Sequence, residues 1–327
     1  MSSRQYDVVV VGAGFSGLYL LKLLRGFGCT VRVLEAGTDV GGTWYWNRYP
    51  GARCDSESTI YSFTFDDDLY QEWSWPERYS RQPSILEYIE HVTERYDLRR
   101  DIDFETRVER ADFDESSNQW AIHTNQGEVI RAQFCIMATG CLSVPKLPDF
   151  EGLSDYEGNW YHTGLWPHEG VDFTGLRVAV VGTGSTAIQA IPVISQEAAH
   201  LTVFQRTPNF SVPAWNHETD PDQERAWKAN FPTMREQLRW SNSGSDSQSN
   251  PRNAAEMSPQ EQQQELEIRW RGGSFSMLGA FADMMTDEAA NAIAIEFVHN
   301  KIRERVTNPE VAELLCPKEH PFGSKRL

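Results

Sequence analysis

A glycine-rich turn between two apolar segments, close to the start of the chain, constrains the fold more than any other sequence feature. Residues 6–11, YDVVVV, form an almost continuous β-branched run, which is typical of a strand buried on both faces of a parallel sheet. The turn itself is GAGFSG at 12–17, and the apolar segment after it predicts a helix that ends at Gly26 or Gly28. A second strand is predicted over 30–37.

This order of strand, GxGxxG turn, helix and strand predicts a dinucleotide-binding site. Gly12 allows the tight turn, Gly14 lets the backbone approach a pyrophosphate, and Gly17 lets the helix pack closely on the strand. Glu35 lies 18 residues after Gly17 and would accept a hydrogen bond from a ribose 2′-hydroxyl, which disfavours a 2′-phosphate. We therefore predict that this site binds FAD or NAD rather than NADP, through Gly12, Gly14, Phe15, Ser16, Gly17 and Glu35.

The position of this site at the beginning of the chain favours FAD, and so does the segment VGGTWYWNRYPGARCDSES at 40–58. Its paired glycines let the backbone approach a bulky ligand, and its aromatic side chains can cover a flat ring system. Alternatively, Trp44, Tyr45 and Trp46 form a hydrophobic plug. The FAD contacts predicted here are Gly42, Thr43, Trp44, Tyr45 and Trp46.

A second fingerprint occurs at 176–191, LRVAVVGTGSTAIQAI, where Ala takes the third glycine position. The strand predicted next, HLTVFQRTPNF at 200–210, offers Arg206 in place of an acid, 19 residues after Ala187. Arginine at this place accommodates a 2′-phosphate, although Arg206 could also be a solvated charge at a strand end. The sequence therefore predicts NADPH at this site, with contacts from Gly182, Thr183, Gly184, Ser185, Thr186, Ala187, Gln189, Arg206 and Thr207.

Net charge and cysteine spacing exclude several classes of partner and enzyme. The net charge of −17 disfavours nucleic acid and membrane partners, and no signal peptide or apolar run long enough to span a bilayer is seen. The five cysteines form no CxxC pair, which favours reduced thiols in a cytoplasmic protein and excludes the redox dithiol of flavin disulfide reductases. No metal-ligand spacing is present. Electrons passed from NADPH to a flavin would then go to O₂ or to a bound substrate.

Several segments in a fixed order resemble type I Baeyer–Villiger monooxygenases, particularly the phenylacetone, steroid and cyclohexanone monooxygenase group. They are GGTWYWNRYPGARCD, ATG at 138–140, YEGNWYHTGLWP at 156–167, GTGSTA, FQRTPNF and CPKEHPFGSKR at 316–326. The family pattern FxGxxxHxxxW, followed by Pro or Asp, has its fixed positions at Tyr156, Gly158, His162, Trp166 and Pro167, with Tyr156 in place of Phe. The closing Trp-Pro separates this group from relatives that oxidise nitrogen or sulfur.

The resemblance implies that NADPH reduces FAD, O₂ adds at flavin C4a, and the peroxyflavin attacks a ketone to give an ester or lactone. It implies that Arg326 is the catalytic arginine stabilising the peroxyflavin and that Asp55 is the carboxylate paired with it. Lys325 and Arg206 would hold the NADP phosphate, and Arg53 would lie beside the nicotinamide. We also assign Asp55, Tyr61 and Val108 to the FAD site and Arg326 to the NADP site.

The expected fold class is α/β, with two Rossmann-like dinucleotide-binding domains, for FAD and NADPH, and a helical insertion. The predicted boundaries are 1–145 for the first part of the FAD domain, 146–174 for the fingerprint linker, 175–215 for the first part of the NADPH domain, 216–310 for the helical insertion, and 311–327 for the return to the NADPH domain. Members of the family continue beyond the arginine that Arg326 resembles, so we expect a longer enzyme or a companion chain.

Two other functions stay open at this stage. One is a flavin monooxygenase that oxidises nitrogen or sulfur, which the Trp-Pro ending disfavours. The other is a cofactor-binding part that is inactive by itself.

Overall fold

The computed structural model describes residues 4–241, 244 and 248–324, and the chain forms two compact units. The first unit comprises Met1–Tyr49 and Gln82–Val171, and the second comprises Pro50–Arg81 and Asp172–Leu327. Residues 50–81, which the sequence boundaries place in the FAD domain, thus belong to the unit that carries the second fingerprint. The functions assigned to the sequence boundaries stay predictions.

The regular elements follow the chain in this order. The strands are β1 (Gln5–Val11), β2 (Val31–Leu34), β3 (Ile102–Asp103), β4 (Val108–Asp114), β5 (Gln119–Thr124), β6 (Val129–Met137), β7 (Arg177–Val181) and β8 (His200–Phe204). The helices are α1 (Phe15–Gly26), α2 (Thr43–Trp46), α3 (Asp67–Glu72), α4 (Gln82–Arg95), α5 (Ser185–Glu197), α6 (Pro221–Ala229), α7 (Phe231–Trp240), α8 (Pro259–Gly272), α9 (Glu288–Arg305) and α10 (Pro309–Leu315). Short 3₁₀ turns cover Arg99–Asp101, Leu153–Asp155, Thr163–Leu165, Ala254–Glu256 and Ser274–Gly279.

A six-stranded sheet, in the order β3-β2-β1-β6-β5-β4, organises the first unit. Strand β1 pairs in parallel with β2 on one side and with β6 on the other, and β2 pairs in parallel with β3. Strands β4, β5 and β6 form an antiparallel edge. Val9 and Val10 of β1 are completely buried, which confirms the prediction of a strand covered on both faces.

Two helices of the first unit carry apolar residues into its core. Helix α1 ends at Gly26, as the sequence predicts, and buries Leu18 and Leu21. Helix α4 spans Gln82–Arg95, with one face buried through residues such as Ile85 and Ile89. Both helices follow the 3.6-residue spacing of their apolar side chains.

The second fingerprint forms a β-α-β unit, in which β7 and β8 pair in parallel and α5 lies between them in the chain. Their ladder runs from Arg177 opposite His200 to Val181 opposite Phe204. Val181 is 68% exposed and Phe204 56% exposed, so apolar side chains of this short sheet are open to solvent.

The helical part of the second unit has its own apolar core. Helix α9 contributes Phe297 and Val298 to this core, and Ile293 and Ile302 pack against it, as expected within the helical insertion predicted over 216–310. Met277 and Phe281 are buried in the same core, so these two side chains contribute to packing within the helical part. No helix in the described ranges is long and apolar enough to cross a membrane.

Candidate cofactor and active sites

The first glycine turn is so closely packed that side chains cannot replace its glycines. Gly12 has φ +106°, and a Cβ added there would lie 2.6 Å from the carbonyl oxygen of Ala138, which follows β6. A Cβ on Gly17 would lie 1.8 Å from the carbonyl oxygen of Gly12. The turn therefore packs tightly against β1, α1 and the end of β6, with no space for a side chain at Gly12 or Gly17. A backbone without side chains can also approach a pyrophosphate closely.

Glu35 is buried, and its carboxylate ties the end of β2 to the glycine turn. Its Oε2 accepts a hydrogen bond from Ala13 N–H at 2.7 Å, and its Oε1 accepts from Gly37 N–H at 2.7 Å. A carboxylate has about four lone-pair sites, so these two bonds leave capacity for a ribose hydroxyl. Glu35 thus has a structural role, since its hydrogen bonds fix the side chain in place. The sequence predicts only its second role, as a ligand of the ribose.

The GG segment after β2 contacts the first glycine turn through its backbone. Gly41 N–H donates to Ala13 O at 3.1 Å. Gly42 has φ +54°, and a Cβ there would lie 2.8 Å from Cα of Gly14. The two glycine segments therefore touch each other, and each needs glycine because of the other.

The aromatic residues of α2 are mainly packing residues. Trp44 and Tyr45 are each 6% exposed, and the Trp44 carbonyl accepts from the Gln82 side chain at 2.6 Å. The ring of Tyr45 meets that of Trp46 edge to face, with centroids 4.8 Å apart. Burial of the first two side chains favours the interpretation as a hydrophobic plug, and their contact with FAD stays a prediction.

Phe15, Ser16 and Val108, which are also assigned to the FAD site, differ in exposure and in their packing. Phe15 is half-buried at the start of α1, with its ring centroid 6.3 Å from that of Tyr88, and Ser16 beside it is exposed. Val108 begins β4, pairs with Thr124 and packs against the core of the sheet. Ser16 is therefore open to a ligand at the N-terminus of α1, whereas Val108 mainly supports the sheet.

His162, in the fingerprint linker, caps a 3₁₀ turn. Its Nδ1 accepts from Gly164 N–H at 3.1 Å, so the proton of the neutral ring lies on Nε2. Trp166 is buried beside Tyr161, with ring centroids 5.6 Å apart, and the carbonyl oxygen of Pro167 accepts from Gly170 N–H. The linker is thus built as a sequence of turns, and its histidine has an organising role in one of them.

Gly158, the remaining fixed position of the linker pattern, lies under the Tyr156 side chain. A Cβ there would come within 2.5 Å of the tyrosine hydroxyl oxygen. The ring at the first position of the pattern and the glycine two residues later therefore fit each other sterically.

The second glycine turn presents the N-terminus of a long helix. Gly182 has φ +108°, and Gly184 is the N-cap of α5, so no side chain at the cap occupies the first N–H groups. Asn209 donates to Thr183 O at 3.2 Å and holds the turn from the segment after β8. Helical N–H groups at Ser185, Thr186 and Ala187 are arranged as an anion site requires.

Arg206 follows β8 by two residues and is exposed, and Thr207 beside it is half-buried. An exposed guanidinium at the carboxyl end of this strand is placed where a 2′-phosphate would be recognised.

Arg53 lies in the same unit and is held at its backbone and at its side chain. Gln189 of α5 bonds to the Arg53 backbone, and the Arg53 guanidinium lies 3.5 Å from a Glu77 carboxylate oxygen. Burial lowers the pKa of Arg53, while Glu77 opposes this shift and Arg81 adds to it. Arg53 is thus a partly desolvated cation fixed beside the second fingerprint helix.

Asp55 lines a cavity of about 770 Å³ within the second unit. Its carbonyl oxygen accepts from the Ser274 hydroxyl at 3.2 Å, which fixes the segment that follows Arg53. The wall includes a charged pair, Arg78 and Glu57. Further lining residues are Ser56, Ile60, Tyr61, Tyr79, Arg269, Phe275, Ser276 and Leu278.

Sequence reasoning missed Glu77, Arg78 and Ser274. They lie in segments without a motif, and Ser274 is 219 residues from the aspartate it contacts. Lys325 and Arg326, the predicted phosphate-binding and catalytic residues, lie outside the described residues. Within the described part of the chain, no group of three His, Cys, Asp or Glu side chains could hold a metal ion.

The chain has two strand-turn-helix units of the dinucleotide-binding type. A buried acid, Glu35, follows the first, and an exposed arginine, Arg206, follows the second. This arrangement is typical of flavoproteins with two dinucleotide-binding domains. A family model described as "FMO-like: Flavin-binding monooxygenase-like" matches residues 5–221, and the chain belongs to this family.

Among curated relatives, acetone monooxygenase (methyl acetate-forming) of Gordonia sp. (strain TY-5) is 40% identical over 328 residues, which covers 100% of this chain and 61% of that protein. Phenazine N-monooxygenase PhzNO1 of Lysobacter antibioticus is 39% identical over 317 residues, which covers 96% of this chain and 58% of that protein. The chain therefore spans about three fifths of the length of these relatives.

Solved structures match over nearly the whole chain. An oxidised steroid monooxygenase bound to NADP has a TM-score of 0.96 and 50% identity, covering 99% of this chain and 62% of that one. OTEMO in complex with FAD and NADP (form 4) has a TM-score of 0.95 and 38% identity, covering 100% of this chain and 63% of that one. The α/β fold class with two Rossmann-like units is confirmed, and so is the resemblance to the Baeyer–Villiger monooxygenase group.

Proposed function

We propose that the protein binds FAD at the first glycine turn and NADP(H) at the second, and inserts one oxygen atom into a ketone. The balanced reaction is ketone + O₂ + NADPH + H⁺ → ester or lactone + H₂O + NADP⁺. The observation that carries this proposal is the contrast between the two fingerprints, with buried Glu35 after the first and exposed Arg206 after the second. An acid selects a free ribose hydroxyl, whereas an arginine selects a 2′-phosphate.

The residues at both turns fit such cofactors. Each helix, α1 and α5, begins after a glycine N-cap without a side chain, which leaves its N-terminal N–H groups and positive dipole end for a pyrophosphate. When bound, the flavin supplies electron transfer from NADPH to O₂. Glu35 would orient the FAD ribose, and Arg206, together with Lys325, would hold the 2′-phosphate of NADP(H).

The ketone is proposed to react beside Asp55 and Arg326. A fixed guanidinium stabilises negative charge that develops on oxygen in a water-poor site, and a neighbouring carboxylate holds that guanidinium in place. Asp55 lines the large cavity of the second unit, which supports a substrate site there. The cavity wall combines apolar side chains, such as Tyr79 and Leu278, with polar and charged ones, such as Arg78, which supports a ketone with an apolar body and a polar carbonyl group.

We further infer a cytoplasmic protein without nucleic acid or membrane partners, from its net charge of −17 and its cysteines without a CxxC pair. The proposed partners are the ketone, O₂ and a further polypeptide segment or companion chain. The latter is supported by the share of each relative that the chain spans.

Oxidation of nitrogen or sulfur is the second candidate function, because a relative of nearly equal identity is a phenazine N-monooxygenase. The Trp166-Pro167 ending favours the ketone reaction instead. A cofactor-binding part that is inactive alone is the third candidate, supported by the 61% coverage of the acetone enzyme.

One substrate panel tests all three functions. The purified protein is given NADPH and ¹⁸O₂ with acetone, cyclohexanone, phenylacetone, thioanisole or phenazine, and products are identified by mass spectrometry. We expect an ester or lactone with one ¹⁸O atom from at least one ketone. Formation of a sulfoxide or N-oxide without any ester would favour the second candidate, and bound cofactor without NADPH oxidation would favour the third.

A further inference from the structure

The side-chain amide of Gln189 bonds to the backbone of Arg53 in both directions. Its Oε1 accepts from Arg53 N–H at 3.3 Å, and its Nε2 donates to the Arg53 carbonyl oxygen at 3.2 Å. The two residues are 136 positions apart and both are half-buried. An amide that bonds to both backbone groups of one residue imitates a pair of strand hydrogen bonds, so it fixes both the position and the orientation of Arg53.

The same helix makes a second contact with this segment, at Gly51. Gly51 has φ +76°, and a Cβ added there would lie 2.3 Å from the carbonyl oxygen of Gln189 and 3.0 Å from Cγ2 of Val193. Glycine is therefore required by its backbone conformation and by the available space. Residues 51–53 thus rest directly on α5, the helix that follows the second glycine turn.

The Arg53 side chain is oriented by Glu77. Its Nη1 lies 3.5 Å from Oε2 of Glu77, while Oε1 of the same carboxylate lies 3.2 Å from Nε of Arg81, and Asn216 also donates to the carboxylate. A charge-assisted hydrogen bond is normally about 2.7–2.9 Å long, so the contact to Arg53 is loose. The pairing with Glu77 therefore directs the Arg53 guanidinium. A guanidinium has five N–H donors, so other donors of Arg53 can bond to a ligand.

We propose that Gln189 is a positioning residue that acts on the nicotinamide half of NADP(H) through Arg53. This role replaces the direct nucleotide contact that the sequence predicts for Gln189, because its amide bonds to the Arg53 backbone instead. This inference rests on the proposed function, which assigns a pyrophosphate to the N-terminus of α5, and on the sequence-based expectation that Arg53 lies beside the nicotinamide. Because Gln189 lies on α5, one rigid helix sets the spacing between these two parts of the site. Loss of the amide removes one restraint on Arg53, which keeps its pairing with Glu77 and its backbone bridge to Arg81, and we expect the phosphate site to stay intact.

A double-mutant cycle tests the proposal. The Kd of NADP⁺ is measured by calorimetry on the flavin-loaded protein for the wild type, Gln189→Met, Arg53→Met and the double variant. Methionine has a similar length and does not replace the two hydrogen bonds. We expect Gln189→Met to raise the Kd about tenfold, Arg53→Met to raise it at least as much, and the double variant to match Arg53→Met. Additive losses, or no loss in Gln189→Met, would overturn the proposal.

The ligand 2′,5′-ADP provides the control, because it carries the adenosine and the 2′-phosphate without the nicotinamide. Wild type and Gln189→Met should bind it equally, which also shows that the variant is folded at the nucleotide site. If Gln189→Met loses 2′,5′-ADP as well, Gln189 serves the whole nucleotide site and the proposal is wrong. If the wild type binds neither ligand, the proposed NADP(H) site itself is wrong, which is a distinguishable result.

Discussion

Three polar side chains of this chain, Glu35, Gln189 and Asn291, bond to backbone groups of segments that lie far away in the sequence. Glu35 accepts from Ala13 N–H, 22 residues away, and Gln189 bonds to Arg53. Asn291, on α9, donates to the carbonyl oxygen of Phe322 at 3.0 Å and accepts from its N–H at 2.9 Å. At such sites one side chain satisfies several backbone groups, so its loss leaves more than one polar group without a partner.

We expect Asn291→Leu to lower the free energy of unfolding by about 2–5 kcal/mol. Leucine fits the volume of the buried site, but the N–H and carbonyl of Phe322, and the carbonyl of Met284 that Asn291 also contacts, would lose their partner. Urea unfolding measures the change. Asn300→Leu is the matched control, since Asn300 is exposed on the same helix, and an equal loss in both variants would contradict the explanation.

A second residue-scale prediction concerns the first glycine turn. Gly17→Ala should lower the free energy of unfolding by about 3 kcal/mol or more and reduce bound flavin, because the new Cβ meets the Gly12 carbonyl at 1.8 Å. Gly26→Ala makes the same change at the other end of α1, where no described atom other than the chain neighbours and the backbone of the helix itself lies within 4 Å of the new Cβ. It should be neutral or stabilising by up to about 1 kcal/mol. Flavin absorbance and thermal unfolding measure both variants, and an unchanged Gly17→Ala protein would contradict the steric argument.

At the scale of elements, the start of α8 shows how a local sequence signal fixes a boundary. Ser258 is the N-cap, Pro259 is the first helical residue, and Glu261 completes a capping box, as this spacing predicts. Arg252 donates to Glu261 at 3.0 Å and, together with Ser258, lowers the pKa of Glu261 to about 2. The N-cap serine and an arginine nine residues before Glu261 thus both stabilise the charged form of this carboxylate.

This lowered pKa gives a pH prediction. The pKa of Glu261 is below its ordinary value of 4.5 in the folded protein, so its stabilising contribution is complete above about pH 4.5 and is lost as the pH falls towards 2. Glu261→Gln should therefore flatten the fall in unfolding free energy over this range, measured by denaturant titration at several pH values. Glu304→Gln, at an exposed carboxylate near the end of α9, should keep the wild-type slope. Equal slopes in all three proteins would refute the assignment.

Elements with local signals were predictable from sequence, and contacts between distant segments were not. The β-branched run of β1 and the capping box of α8 encode their structures within a few neighbouring residues. By contrast, nothing in the composition of residues 51–55 indicates that Gln189 and Ser274 hold them, because these partners come together only in the folded unit. The same reason explains why the burial of Trp44 and Tyr45 was open from sequence alone.

At the scale of the whole molecule, the two glycine turns are followed by opposite charges, and this difference predicts cofactor choice. Arg206→Ala should raise the KM for NADPH about tenfold to a hundredfold with little change for NADH, because a charge-assisted contact with the 2′-phosphate is lost. Steady-state kinetics with both nucleotides measure the ratio. Arg177→Ala is the control, since Arg177 is exposed at the opposite end of β7. A proportional loss with NADPH and NADH would argue against phosphate recognition by Arg206.

The second unit is discontinuous, because residues 50–81 belong to it while 82–171 complete the first unit. During synthesis, Arg53 emerges from the ribosome 136 residues before Gln189. At ordinary rates of synthesis, the interval between the two is on the order of 10 s. During that interval strands β3 to β6 emerge, so the six strands described for the first sheet are present while residues 50–81 still await their partners. We therefore expect the order of translation to separate the two folding events, with the earlier segment of the second unit exposed to chaperones and proteases in between.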